Sequence, residues 1–165
     1  MSANYILESA PLQGRSGHQA GRALLERMYR EHFGQDLPAI GINPGGKPYF
    51  LDSPLHFSIT HTKNYVFCAL SSCSIGIDAE ELDRPVKPSL ARNILSPREL
   101  AQYEEAADPH RALLTFWVLK EAAAKETGEG IRGFPNHTDF LLTDPRVREI
   151  RGCLVAVVQG DNHAV

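Results

Sequence analysis

The run Trp117-Val118-Leu119-Lys120-Glu121-Ala122-Ala123-Ala124-Lys125 leaves this chain the least conformational choice. Ala, Leu, Lys and Glu are strong helix formers, and nothing from Arg111 to Thr127 breaks a helix. Asp108-Pro109 supplies an N-cap with proline at the first helical position, and Gly128, ahead of Glu129-Gly130, is a natural stop. Leu113, Phe116, Trp117, Lys120 and Ala124 recur at three- and four-residue steps, so Lys120 interrupts an otherwise apolar stripe. Glu121 lies one turn from both Trp117 and Lys125, which places a carboxylate and an ammonium on the stripe's margin. Alone, this describes either an ordinary amphipathic helix with a surface ion pair or a helix that presents both charges at a site.

A second stretch bears on that choice. Ser74-Ile75-Gly76-Ile77-Asp78-Ala79-Glu80 alternates as a strand does, with Ile75 and Ile77 on one face. Period two puts Gly76, Asp78 and Glu80 on the other face, so two carboxylates stand side by side. Like charges at that spacing repel by about 4 kcal/mol at 4 Å and an effective dielectric near 20. The pair calls for water, a shared proton or a cation. With a third carboxylate from a helix it makes an all-oxygen site, which suits Mg²⁺ better than zinc, with Mn²⁺ equally acceptable to such ligands.

Taken together, Gly76-Ile77-Asp78-Ala79-Glu80 followed by Trp117-x-x-Lys120-Glu121-Ala122-x-x-Lys125 resembles the signature pair of 4′-phosphopantetheinyl transferases. Gly46-Lys47-Pro48-Tyr49-Phe50 is similar to the Gly-Lys-Pro loop of the surfactin-synthetase-activating branch, which serves nonribosomal peptide and polyketide synthases. Phe57-Ser58-Ile59-Thr60-His61-Thr62 resembles that branch's Ser-His-Ser segment, and the likeness runs in order from Arg15 to Phe140. The resemblance implies an α+β fold of two similar lobes, arranged with pseudo-two-fold symmetry around a cofactor cleft. It also implies transfer of the phosphopantetheine arm of coenzyme A to a serine of an apo acyl or peptidyl carrier protein, leaving adenosine 3′,5′-bisphosphate. On the same ground Asp78, Glu80 and Glu121 hold Mg²⁺, and Glu121, Lys125 and Asp78 serve catalysis. Arg15, Arg22, Gly46, Lys47, Pro48, Thr60, His61, Lys120 and Lys125 contact the cofactor. Lys120 has a second reading, a side chain that snorkels outward. Two other functions stay open: a non-catalytic module that binds CoA or a carrier, and another Mg²⁺-dependent phosphotransfer or phosphodiester enzyme.

The rest of the chain frames these motifs. At 165 residues it is one large domain or two small halves; the resemblance implies one two-lobed unit, divided at 1–82 and 83–165, shorter at both ends than the usual family member and with a reduced second sheet. A net charge of −3 argues against a nucleic-acid binder. No apolar run is long enough to span a membrane, and Met1 to Glu8 is too short and polar for a signal peptide, so a cytoplasmic monomer is expected. Cys68, Cys73 and Cys153 lack metal spacing and read as buried thiols; His56 and His61 lack a third nitrogen or sulfur partner for zinc.

Taken in order, Asn4–Leu7 is a strand, Ser16 caps a helix over Gly17 to Phe33, and Ala39–Ile42 is a strand before the Asn43-Pro44-Gly45-Gly46 turn. Tyr49-Phe50 is extended, and Phe57–His61 and Tyr65–Leu70 pair as a hairpin. A short helix over Ser89–Leu95 precedes one capped by Ser96 with Glu99 in a capping box, ending near Ala107. Beyond the signature helix, Phe140-Leu141-Leu142 and Leu154–Val158 are strands. No internal repeat is visible. Between the two signatures, the stretch from Arg84 to Arg98 carries Arg84, Lys87, Arg92 and Arg98 and no acidic residue, a positive rim on which an acidic carrier could dock. The plain alternative is a solvated connection.

Overall fold

The computed structural model describes residues 4–128 and 138–160. Each half repeats one topology. In the first, β1 (Tyr5–Pro11) leads to helix α1 (Gly17–Phe33), then a small hairpin of β2 (Ile40–Ile42) and β3 (Pro48–Phe50), then β4 (His56–His61) and β5 (Tyr65–Ser71). The strands join antiparallel in the order β1-β5-β4. In the second, β6 (Ile75–Glu81) leads through α2 (Leu90–Ile94), α3 (Pro97–Glu105) and α4 (Pro109–Thr127) to β7 (Val147–Ile150) and β8 (Cys153–Gln159). Its sheet runs β6-β8-β7, again first, last, middle. The two halves are the α+β lobes expected.

Alternation along the strands builds the layers. Val66, Cys68 and Leu70 of β5 turn to α1, where Leu24, Leu25 and Met28 meet them. Phe67 and Ala69, one residue out of phase, meet Ile75, Ile77 and Ala79 of β6 and Cys153, Val155 and Val157 of β8. The other face of β8, Leu154, Ala156 and Val158, lies under Phe116, Val118, Leu119 and Ala122 of α4. Each fully buried large apolar side chain contributes about 1.5–3 kcal/mol. The order is therefore helix, sheet, sheet, helix, and the Ile77 N–H of β6 donates across to Ser58 Oγ of β4 at 3.0 Å.

Local chemistry explains the helix limits. Ser16 and Gln19 form a capping box on α1, and Gly34 ends it in the left-handed region. The Asp108 side chain accepts from the Arg111 N–H, Pro109 opens α4, and Gly128 closes it at φ +75°. Gly76 sets how α4 sits on the sheet. A Cβ there would collide with the Ala122 carbonyl oxygen and the Glu126 nitrogen, so helix and strand backbones touch only because position 76 is glycine.

Two expectations change. Because β6 pairs with β8, the second sheet begins at Ile75, and a division by sheets falls in the turn after Ser71 rather than at 82/83. Among the described residues that second sheet has three strands, as many as the first. Phe140-Leu141-Leu142 is not a strand: the Phe140 and Leu142 N–H groups donate to the Glu99 and Gln102 side chains, each at 3.0 Å. The strand in that region is β7, overlooked because Val147-Arg148-Glu149-Ile150 has apolar residues only at its ends. Glu129 and Gly130 lie outside the described residues.

Candidate active site

The site forms where β6, β4 and α4 meet. Period two on β6 and the absent Cβ at Gly76 bring Asp78 directly beneath α4, where it is buried. Lys125 reaches down from the helix and donates to Asp78 Oδ1 at 3.0 Å and to Thr60 Oγ1 at 3.3 Å. Thr60, on β4, donates to the same Asp78 oxygen at 3.3 Å. One turn earlier on α4, Glu121 is also buried. Among the described residues, Asp78 Oδ2 and Glu121 Oε1 have no hydrogen-bond partner. Burial pushes the Asp78 carboxyl above its usual range, against the opposing pull of Lys125. Burial raises Glu121 as well, with the Asp78 charge adding to it.

Glu80 is held differently. Its Oε1 accepts from Trp117 Nε1 at 3.2 Å and pairs with the Arg84 guanidinium, which turns back from the connection. Among the described residues no three of His, Cys, Asp and Glu stand as a ready ligand set, so in this arrangement Glu80 does not join the other two carboxylates on one ion. The donor chemistry nevertheless fits a hard cation. Two buried carboxylate oxygens lack any partner, and Glu80 adds its charge to both Asp78 and Glu121. Lys125 and Arg84 supply the positive charge instead.

Beside the carboxylates runs a cleft of about 240 Å³. Gly46, Lys47 and Pro48 of the β2–β3 turn form one wall, Ser58 and Ile59 of β4 the floor, and Ala124 and Lys125 of α4 the other wall. Gly46 has φ +88°, which the tight turn requires. His61 stands exposed at the end of β4, its ring against Gly17 at the start of α1 and its Nδ1 3.3 Å from the Thr62 carbonyl. It borders a more open hollow that also takes in Glu80 and Arg84.

Three of the expected cofactor contacts, Lys120, Arg15 and Arg22, do not line this cleft. The Lys47 ammonium, at the cleft wall, donates to the carbonyls of Ile75 at 2.9 Å and Glu126 at 3.0 Å, binding the turn to β6 and to the end of α4. Burial lowers its pKa. Lys120 neither faces the cleft nor snorkels outward: it is wholly buried, 2.7 Å from Glu99 Oε1. Arg15 folds back on its own loop, donating to the Leu12 carbonyl at 3.2 Å, and neither it nor Arg22 lines the cleft. The spacing that put Lys120 in the apolar stripe could not reveal its partner, because Glu99 reads from sequence only as the end of a capping box. Ser58 was likewise missed, although its place in the strand before His61 put it beside the cleft.

The family model for the 4′-phosphopantetheinyl transferase superfamily matches residues 74–157, the span that carries Asp78, Glu80, Glu121 and Lys125. The chain belongs to that superfamily. It is 32% identical over 117 residues to a 4′-phosphopantetheinyl transferase of Bacillus subtilis, covering 67% of this chain and 51% of that protein. It is 36% identical over 130 residues to the 4′-phosphopantetheinyl transferase HetI of Nostoc sp., covering 68% and 52%. Against the 4′-phosphopantetheinyl transferase Sfp of Bacillus subtilis the match is 32% over 89 residues, 52% of this chain and 39% of that one. The chain spans about half the length of the first two of these relatives. Among the described residues no helix is long and apolar enough to cross a membrane.

Proposed function

We propose that this chain transfers the 4′-phosphopantetheine arm of coenzyme A to a serine hydroxyl of an apo carrier protein, as a Mg²⁺-dependent monomer acting in the cytoplasm. The observation that carries the reading is the pair of buried, unpartnered carboxylate oxygens on Asp78 and Glu121, set beside Lys125 at the end of the cleft. Family membership supports coenzyme A as substrate. Mg²⁺, when bound, would neutralise charge on the pyrophosphate; Asp78 and Glu121 would hold it, with Glu80 as the third carboxylate once released from Arg84.

The chain's own residues then divide the work. A bond forms between the serine oxygen and the phosphorus of the phosphopantetheine arm, and the bond from that phosphorus to the bridging oxygen breaks. Adenosine 3′,5′-bisphosphate leaves. Glu121 takes the serine proton, directly or through water, and burial favours its protonated form. Lys125, about a third exposed, can swing its ammonium from Asp78 to the pyrophosphate oxygens. The low walls of Gly46 and Pro48 leave room for the nucleotide. Arg84, Lys87, Arg92 and Arg98, all exposed, form the rim on which the carrier docks.

The deciding test is intact-mass measurement of apo carriers incubated with this protein, CoA and Mg²⁺. One added phosphopantetheine arm, abolished by EDTA, is the expected result. CoA binding without any transfer would leave a binding module, and cleavage of simple phosphodiesters without a carrier would indicate a different phosphotransfer enzyme.

A further inference from the structure

Lys120 and Glu99 are each completely buried, at 0% side-chain exposure. The Lys120 Nζ lies 2.7 Å from Glu99 Oε1, off the line of a hydrogen bond, and 5.7 Å from the centre of the Phe140 ring. Glu99 uses both oxygens further. Oε1 accepts from the Ser96 N–H at 2.9 Å, and Oε2 accepts from the Phe140 N–H at 3.0 Å. One carboxylate therefore ties the start of α3, the middle of α4 and the segment at Phe140 together. Packing alone does not require this. The neighbours of Lys120 along the stripe, Leu113, Phe116 and Trp117, are apolar, and a buried ion pair is no more stabilising in general than a well-packed apolar pair. What a charged pair adds is a single allowed setting.

That setting matters because Lys120 and Glu121 are neighbours on one helix. Lys120 points to α3, while Glu121 is turned to the Asp78 side, where it feels the charges of Asp78 and Glu80. We propose that the Glu99–Lys120 pair is a positioning device, fixing the rotation of α4 so that the Glu121 carboxylate stands against Asp78. A helical side chain ends about 6 Å from the axis, so a turn of roughly ten degrees moves that carboxylate by about 1 Å. Displacement on that scale costs about a hundredfold in rate when reacting groups are involved. Neither residue touches substrate in this role. The proposal rests on the transfer reading only where activity is measured.

The experiment compares Glu99→Asp, Lys120→Met and the double variant Glu99→Gln/Lys120→Met with the unaltered protein. Lys120→Met alone leaves a buried carboxylate uncompensated and lowers the melting temperature; removing both charges recovers part of it, since the glutamine in Glu99→Gln keeps one acceptor for the two N–H groups that Glu99 satisfies. Glu99→Asp keeps every charge but shortens the arm by one carbon, and its far-UV circular dichroism and melting curve check that it is folded before emission and kcat are read. Trp117, the single tryptophan, donates to Glu80 from the same helix and reports the setting of α4 by its emission. The expected result is a changed Trp117 emission in Glu99→Asp and in the double variant, with kcat down tenfold or more, CoA KM within twofold, and a melting temperature of the double variant above that of Lys120→Met. Unchanged kcat and emission in Glu99→Asp would overturn the proposal and leave the pair a packing element. If the unaltered protein transfers nothing to any carrier, the transfer reading fails instead, and the emission still decides the positioning.

Discussion

Asp78 and Glu121 are stranded carboxylates: each has an oxygen with no partner, and each is held above its ordinary pKa by burial. A raised pKa means that the folded state binds protons more readily than the unfolded chain. Its contribution to stability is thus fully present below the unfolded carboxylate value and is lost as pH climbs through the raised folded value. Glu121→Gln removes one of these charges. Without metal the variant should be more stable than the unaltered protein near neutral pH, by about 1 kcal/mol, and the difference should vanish as pH falls below about 4. Thermal melts in EDTA across that range check the sign; a variant less stable at neutral pH would mean Glu121 has a partner in solution. Adding Mg²⁺ should raise the melting temperature of the unaltered protein and leave Glu121→Gln largely unmoved. Asp78, Glu121 and Lys125 were legible in the sequence because period two and helical spacing place them without reference to anything distant. The tie of Glu80 to Arg84 and Trp117, and that of Lys47 to two backbone carbonyls, depend on how separate segments fold back. No local pattern records that.

At the scale of elements, the contact between α4 and β6 decides whether the carboxylates meet, and it hangs on Gly76. A Cβ at this position meets helix backbone, which cannot rotate aside as a side chain can. Gly76→Ala should therefore cost at least about 3 kcal/mol, the upper part of the range for overpacking, and should disturb Glu121 and Lys125 together. Gly46→Ala makes the contrast. It meets nothing within 4 Å, and its cost is only that of the left-handed backbone, about 1–2 kcal/mol. Urea midpoints for the two variants test the difference, and equal losses would mean that α4 rides higher on the strand than this packing requires. The helices were readable because their signals are local: α1 and α4 each carry a side-chain cap at the start and glycine at the end. The segment at Phe140 misleads because it is apolar. Its backbone is satisfied by Glu99 and by Gln102, which accepts from Leu142 N–H and donates to the Phe140 carbonyl, each at 3.0 Å, as a neighbouring strand would.

For the whole molecule, the halves share a topology that sequence comparison between them does not reveal, since strand order depends on which edges meet and not on any residue pattern. The same assembly places α2 and the connection before it on the flank of α4. Arg84 and Lys87 there edge a hollow of about 280 Å³ whose floor includes Leu90, Leu113 and Trp117. Arg92 lies on α2 and Arg98 at the start of α3, both exposed, with Arg98 3.7 Å from Asp139. A chain of net charge −3 thus concentrates positive charge beside the carboxylate site, against its own overall sign. An acidic carrier approaching the protein would be drawn to this flank, and its serine would arrive near Glu80 and Glu121. Reversing Arg92 and Arg98 to Glu should raise the carrier KM by about tenfold at low salt, while the CoA KM stays unchanged. Both arginines are exposed and neither contributes to the core, so stability should hold. The loss should lie in the association rate, and rising salt should weaken the unaltered protein toward the reversed one as the Debye length shortens. Steady-state kinetics with carrier and CoA varied separately measure both effects. A carrier KM unmoved by the double reversal, with transfer insensitive to salt, would place docking on another face and leave this stretch as the solvated connection that its composition alone would suggest.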